Sequence, residues 1–376
     1  MPTSHRPPSA QAENAERAVR AYRAMRDHLL VEGGLYREST PESTSGNPFA
    51  FVWPFEEAAK ATLCMAGIPE IGAEYRADVA ESGRARERYW DRGGRHCLSR
   101  KPSYASYVLQ PLGRGGDTFY DDNAWIALDL IQQHRMFGDD AALARAATVF
   151  EFVRAGWCRD RRAHPGGLYW VDARWNRDRG AATNCGATML ALHLHELLAP
   201  PTMEYVDRAH TLYRWARDSL LATDGPTAGL YSDKVLGDGQ IDRTQWIYNQ
   251  GTPIAAAVLL HHLTGDQGYL DEARSIADAA LAYYGRDGFM GQPLIFTAIF
   301  FRNLLQLDAV SPSPEYREAM QAYADRLWAD DTVHDRKTGL FRLDRATPNY
   351  TLLDQAGAVQ IFALLAWTRG QYGLLT

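Results

Sequence analysis

Residues 254–273 read IAAAVLLHHLTGDQGYLDEA, and their order decides the fold. From Ile254 to Leu260 every side chain is apolar, so a helix there has no polar face to offer water and must be buried. Thr264-Gly265-Asp266 then marks a tight turn, with Gly suited to the C-cap of one helix and Asp to the N-cap of the next. Beyond it, Tyr269-Leu270-x-x-Ala273 sets apolar residues on one side of a charged, surface-covering helix. Phe137-Gly138-Asp139 repeats the turn, and Ala187 to Leu194 repeats the apolar run. Working outward, the periodicity predicts twelve helices, roughly at 9–31, 54–66, 70–90, 119–136, 139–156, 181–199, 202–221, 248–264, 267–284, 293–308, 313–329 and 353–370. Amphipathic and apolar helices alternate, and no alternating strand pattern of any length interrupts them. The expectation is an all-α (alpha/alpha)6 barrel of six inner and six outer helices, one catalytic domain over 1–376 with residues 1–8 a flexible tail. An open superhelix of helical pairs is the competing architecture.

Composition removes several classes of function. The net charge of the 376-residue chain is −6 and its basic residues are scattered, so the positive footprint of a nucleic-acid binder is missing. No run approaches the roughly 18 apolar residues of a membrane span. Cys64, Cys97, Cys158 and Cys185 lie far apart and read as free thiols of a reducing compartment. The first residues carry no apolar stretch of a signal peptide, so a cytoplasmic location is expected. His193 and His195, like His261 and His262, are spaced wrongly to share a helix face, and no metal site or cofactor is expected.

In a barrel whose helices alternate in direction, the long connections 91–118, 157–180, 222–247 and 330–352 gather at the end where inner helices begin, the usual place for a site. Those helix starts carry Trp53 with Glu56-Glu57, Asp121-Asp122-Asn123, Thr183-Asn184, Tyr248-Asn249-Gln250, Phe296-Thr297 and Asp354-Gln355. Such a ring of acids, amides and aromatics suits a sugar, with polar groups on hydroxyls and rings against its apolar face. The sharpest candidates are Asp121 and Asp122, surrounded by Tyr120, Asn123 and Trp125. Two carboxyl groups about 5–5.5 Å apart perform retaining glycoside hydrolysis, and about 6.5–9.5 Å apart inverting hydrolysis. The competing reading makes Thr118-x-x-Asp121 a capping box whose acids answer the helix dipole.

Tyr120-Asp121-Asp122-Asn123-Ala124-Trp125 resembles the paired-aspartate motif of glycoside hydrolase family 76, the endo-α-1,6-mannanases. Tyr248-Asn249-Gln250-Gly251 resembles that family's second signature, and Thr183-Asn184 and Phe296-x-x-Ile299-Phe300-x-Arg302-x-Leu304 match further positions over roughly residues 50–368. The resemblance implies that Asp121 is the nucleophile and Asp122 the general acid/base of a retaining hydrolysis of α-1,6-mannosidic linkages through a covalent mannosyl-enzyme. It also implies that Asp233 contacts the reacting sugar, although Asp238 and Asp242 share its loop. Substrate contacts are expected from Tyr120, Asn123, Trp125, Asn184, Tyr248, Asn249 and Gln250, on an α-mannan or manno-oligosaccharide held by a monomer without a cofactor. The sequence departs from the family where Thr297-Ala298 replace a frequent Lys-Gly, where Ala181-Ala182 replace a Lys, and in lacking the leader of exported members. The alternatives are transglycosylation by the same pair, an epimerase or unsaturated-uronide hydrolase on the same barrel, and a non-catalytic glycan-binding protein.

Overall fold

The computed structural model describes residues 9–41, 47–161, 163–200, 203–343 and 348–376; the tail expected at 1–8 lies outside them. Among the described residues there are twelve α-helices: α1 Ala10–Leu29, α2 Val52–Ala66, α3 Arg76–Arg86, α4 Tyr120–Phe137, α5 Asp140–Val153, α6 Ala181–Leu197, α7 Met203–Leu220, α8 Tyr248–Thr264, α9 Gln267–Gly288, α10 Leu294–Val310, α11 Pro314–Ala329 and α12 Leu352–Ala366. The apolar helices α2, α4, α6, α8, α10 and α12 pack each on the next, and α12 closes the ring on α2. The amphipathic helices lie outside them, α1 against α12 and α3, α5, α7, α9 and α11 against the inner helix that precedes each. This is the (alpha/alpha)6 barrel, and the closed ring excludes the open superhelix. No helix among the described residues is long and apolar enough to cross a membrane.

Local chemistry accounts for the turns. Gly138 and Gly265 take φ of 69° and 70° and close α4 and α8 with bonds to the carbonyls of His134 and His261. Asp139 and Asp266 then accept from the amides of Ala142 and Gly268 to start α5 and α9. Inner helices also need close approach: a Cβ on Gly251 would stand 2.8 Å from the Phe300 Cα where α8 meets α10. The helix expected at 70–90 is shorter, because Gly72–Tyr75 forms a 3-10 turn before α3 and the chain is extended by Trp90.

The long connections carry seven two-residue strands: β1 Ser39–Thr40, β2 Trp90–Asp91, β3 Ser103–Tyr104, β4 Arg179–Gly180, β5 Lys234–Val235, β6 Ile241–Asp242 and β7 Tyr350–Thr351. β1 pairs with β7, β2 with β3, and β4–β5–β6 form a small antiparallel sheet, all at the end where the inner helices start.

Four of these connections are latched to the next inner helix in the same way. Asn123 accepts from the Tyr104 amide at 2.8 Å and donates to the Tyr104 and Phe119 carbonyls at 3.0 and 2.8 Å. Gln250 does the same with Tyr231 (2.7 and 3.0 Å) and Trp246 (3.0 Å), and Gln355 with Phe341 (2.7 and 2.8 Å) and Thr351 (2.9 Å). Asn184 accepts from Leu168 and donates to Gly180, both at 2.8 Å. Each amide serves a loop backbone group and the carbonyl four residues back, and buried backbone groups of this kind need such partners.

At the opposite end, His193 in the penultimate turn of α6 is fully buried, with Nδ1 3.0 Å from Arg135, itself bonded to Glu196. Burial lowers its pKa to about 4, the Arg135 charge adds to this, and the Glu196 contact opposes it. Unfolding frees the imidazole to titrate near 6.5, so the stability from neutral His193 is complete above that pH and declines as pH falls from 6.5 toward 4. Urea unfolding at pH 7.5 and pH 5 should show uptake of about one proton at the lower pH. His193→Gln should flatten that slope, and an unchanged slope would assign it to other groups.

Candidate active site

The starts of α2, α4, α6, α8 and α10 and the β4–β5–β6 sheet enclose a cleft of about 210 Å³. Asp121 and Asp122 lie in its floor on the first turn of α4. The capping box of the competing reading is absent: Phe119 is the N-cap, without a side-chain cap bond, and the Thr118 hydroxyl donates to the His96 carbonyl. Neither carboxyl group is therefore committed to a capping box, and both open to the cleft.

Their surroundings differ. Asp121 accepts from the Asp122 amide at 3.0 Å, and its own amide and the Trp170 indole also hydrogen-bond to it. Burial raises its pKa to about 7, against those donors, with the charge of Asp233 adding to the rise. Asp122 has none of those donors. Burial first, then the charges of Asp121 and Glu57, pushes its pKa well above the usual carboxylate range. Three N–H donors and the positive end of α4 favour charge on Asp121, so the proton of the pair belongs on Asp122.

Asp233, between Ser232 and β5, completes the acidic side. Its Oδ1 accepts from Asn249 Nδ2 at 2.8 Å and from the Tyr248 hydroxyl at 3.4 Å. Lys234 Nζ stands 3.7 Å from both Asp233 Oδ2 and Asp178 Oδ2. Burial raises Asp233, and Asn249 and Lys234 oppose it. The alternatives in the loop are occupied or remote: Asp242 accepts from the amide and hydroxyl of Thr244, and Asp238 is exposed and accepts from the Gln240 amide.

Aromatic rings form the remaining wall. Phe296 packs 4.2 Å from Tyr248 and 6.3 Å from Trp53 between ring centroids. Trp170 stands across from them, 6.1 Å from the exposed Trp175, with Lys234 Nζ 6.0 Å from its ring. Among the described residues, no group of three or more His, Cys, Asp or Glu side chains is placed to hold a metal ion.

Of the residues expected from sequence to catalyse or to contact sugar, Asp121, Asp122, Trp125, Asp233 and Tyr248 line the cleft together, joined by Trp53, Thr183 and Phe296 of the helix-start ring. Five do not, and the expected sugar contacts are corrected accordingly. Asn123, Asn184 and Gln250 are fully buried and spent on the loop latches. Asn249 is fully buried behind Asp233, which it holds. Tyr120 stacks on Phe152 at 4.6 Å, and its hydroxyl meets Asp172 outside the cleft. Asp178 and Lys234 line the cleft without having been expected there. The adjacent opposite charges Asp233-Lys234 before a buried Val235 were the available signal for one of them; Asp178 sits in a charged loop with none.

The family model of glycosyl hydrolase family 76 matches residues 86–368. The chain belongs to this family. This family 76 chain is 26% identical over 186 residues to a mannan endo-1,6-alpha-mannosidase of Candida glabrata, covering 46% of this chain and 41% of that protein. A second mannan endo-1,6-alpha-mannosidase, from Saccharomyces cerevisiae, is 25% identical over 150 residues, or 39% of this chain and 32% of that one. The chain therefore spans less than half the length of these curated relatives. Among solved structures, a family 76 glycoside hydrolase (mannosidase) of Bacteroides thetaiotaomicron superposes with a TM-score of 0.79 at 22% identity, over 94% of this chain and 98% of that one. An inactive α-1,6-mannanase of Salegentibacter, with two consecutive aspartates changed to asparagine and α-1,6-mannotriose bound, superposes at 0.70 and 22% identity, over 94% and 99%. At such identities the superpositions establish the shared family 76 barrel.

Proposed function

We propose that this protein is a retaining glycoside hydrolase that cleaves α-1,6-linked mannose chains internally. The observation that carries the reading is the unequal environment of two neighbouring carboxyl groups on the floor of one cleft. Asp121, charged and held by N–H donors, attacks the anomeric carbon as the glycosidic C–O bond breaks. Asp122 gives its proton to the departing oxygen. In the second half, Asp122 takes a proton from water, the water oxygen bonds to the anomeric carbon, and Asp121 leaves as carboxylate. Tyr248, whose phenol burial keeps protonated, and Asp233 are placed to bind sugar hydroxyls, with Trp53, Trp170 and Phe296 against the ring. Membership of family 76 supports the linkage, as do the activities of the relatives: endo-1,6-α-mannosidase for the yeast proteins, and bound α-1,6-mannotriose in the double-aspartate variant of the Salegentibacter mannanase.

The test is a panel of α-linked mannans and the mannobioses of each linkage, with the first-formed product followed by NMR before mutarotation. Shortening of α-1,6-mannan with an α-configured first product is the expected result. A β-configured first product would remove the covalent route, and release of sugar only from other linkages would remove the substrate assignment.

A further inference from the structure

Basic residues that are scattered along the sequence meet at a second cavity, outside the cleft. Lys101 from the β2–β3 connection, Arg154 and Arg159 after α5, and Arg208 in the second turn of α7 line a space of about 290 Å³ with Glu151 and Trp157. Small-molecule sites begin at about 300 Å³, so one compact ligand fills it. Arg154 is already neutralised: it donates to Glu151 at 2.8 Å and to Glu204 at 2.9 Å. The carboxylate in the wall is thereby cancelled. Lys101, Arg159 and Arg208 are bonded to no carboxylate among the described residues. Three like charges around one small space repel one another unless an anion sits between them.

The donors are held in place. The Arg208 guanidinium lies over Trp157, 5.6 Å from the ring centroid. Stacking uses the face of the guanidinium and leaves its in-plane N–H fork for the oxygens of an anion. Trp157 is fixed in turn. It pairs with Leu168 in an isolated bridge, and its indole packs on Gly166, where an added Cβ would stand 2.9 Å from the ring. The chain is extended here, so Trp157 and Arg159 face the cavity, while Cys158 between them turns the other way and donates to the Tyr169 hydroxyl at 3.0 Å. The same connection serves the cleft: the Tyr169 amide donates to the Gly156 carbonyl at 3.0 Å, and the next residue, Trp170, is a cleft wall.

We infer that this cavity binds a tetrahedral oxyanion, a phosphate or sulfate group, either as the free ion or as the ester of a sugar. A planar carboxylate satisfies one fork. A tetrahedral group presents oxygens in several directions, as donors from the β2–β3 connection, the segment after α5 and α7 require. An extended polyanion is disfavoured, because the cations ring a concavity and do not form a stripe. The site is separate from the catalytic pair, and the inference does not depend on the reading of the cleft.

The test is calorimetric titration of the full chain, in low-salt buffer, with inorganic phosphate, sulfate, mannose-6-phosphate and mannose. The three anions are expected to bind, and to bind more weakly as salt is added. Arg208→Gln and Lys101→Gln should each weaken all three by roughly 10- to 100-fold, the loss of one charge-assisted contact. Both variants should leave any mannose binding and the hydrolysis of neutral α-1,6-mannan unchanged. Equal affinity for phosphate and mannose-6-phosphate assigns the site to the free ion, and clearly tighter binding of the ester assigns it to a charged sugar; either supports the proposal. No heat from any anion overturns it. So does anion binding that both variants leave intact, since the anion then sits elsewhere. Should Arg208→Gln not fold, Arg159→Gln, at an exposed side chain, asks the same question. Binding is read without turnover, so failure of the wild type to cleave mannan would count against the proposed reaction and not against this site.

Discussion

Asp121→Asn is expected to lower turnover by roughly 10⁴-fold or more on mannan and on an activated aryl mannoside alike, because no covalent intermediate forms without the nucleophile. Asp122→Asn should separate the two substrates. On mannan the departing sugar needs a proton, and a loss of roughly 10²–10⁴-fold is expected. On the aryl mannoside the first step needs little help, so intermediate accumulates and added azide accelerates its breakdown. The donors around Asp121 and their absence around Asp122 motivate this division. Paired kinetics on the two substrates would decide it. Near wild-type turnover by Asp121→Asn on either one would reduce the pair to ordinary helix-start acids. The pH profile reports the pair as a unit, since adjacent carboxyl groups titrate together.

The second large effect is on stability. Gln250→Leu keeps the bulk of a side chain that is fully buried but removes three hydrogen bonds; the Tyr231 amide and carbonyl lose their partner, while the Trp246 carbonyl keeps the Asn249 amide at 3.2 Å. A buried unsatisfied polar group costs about 1–3 kcal/mol, and roughly 2–5 kcal/mol is expected for the two Tyr231 groups together. Activity should fall with stability, because the latched loop carries Asp233. Urea unfolding measures the first and mannan hydrolysis the second. A loss below about 1 kcal/mol would show that the loop holds its shape without the latch.

The order of elements was legible because it depends on one-dimensional properties. Ile254 to Leu260 has no polar residue to face water, Gly265 alone tolerates the left-handed turn that ends α8, and Asp266 can cap the start of α9; none of this requires knowing a neighbour. That inner helices start at one end, and that Asp121 and Asp122 lie there, came from the alternation itself. The task of each polar side chain at those starts was not legible. Asn123 stands one residue after Asp122, yet the roughly 100° step of a helix turns it from the cleft to the Tyr104 backbone. Gln250 and Asn184 share the same fate, although amides suit sugar hydroxyls equally well, because a buried loop backbone has no water to fall back on and claims the nearest donor and acceptor. Residue type set which bonds these side chains are able to make. Only the packing of helix against loop decided with whom, since the direction of a side chain within a ring of six helices depends on the neighbours that close it.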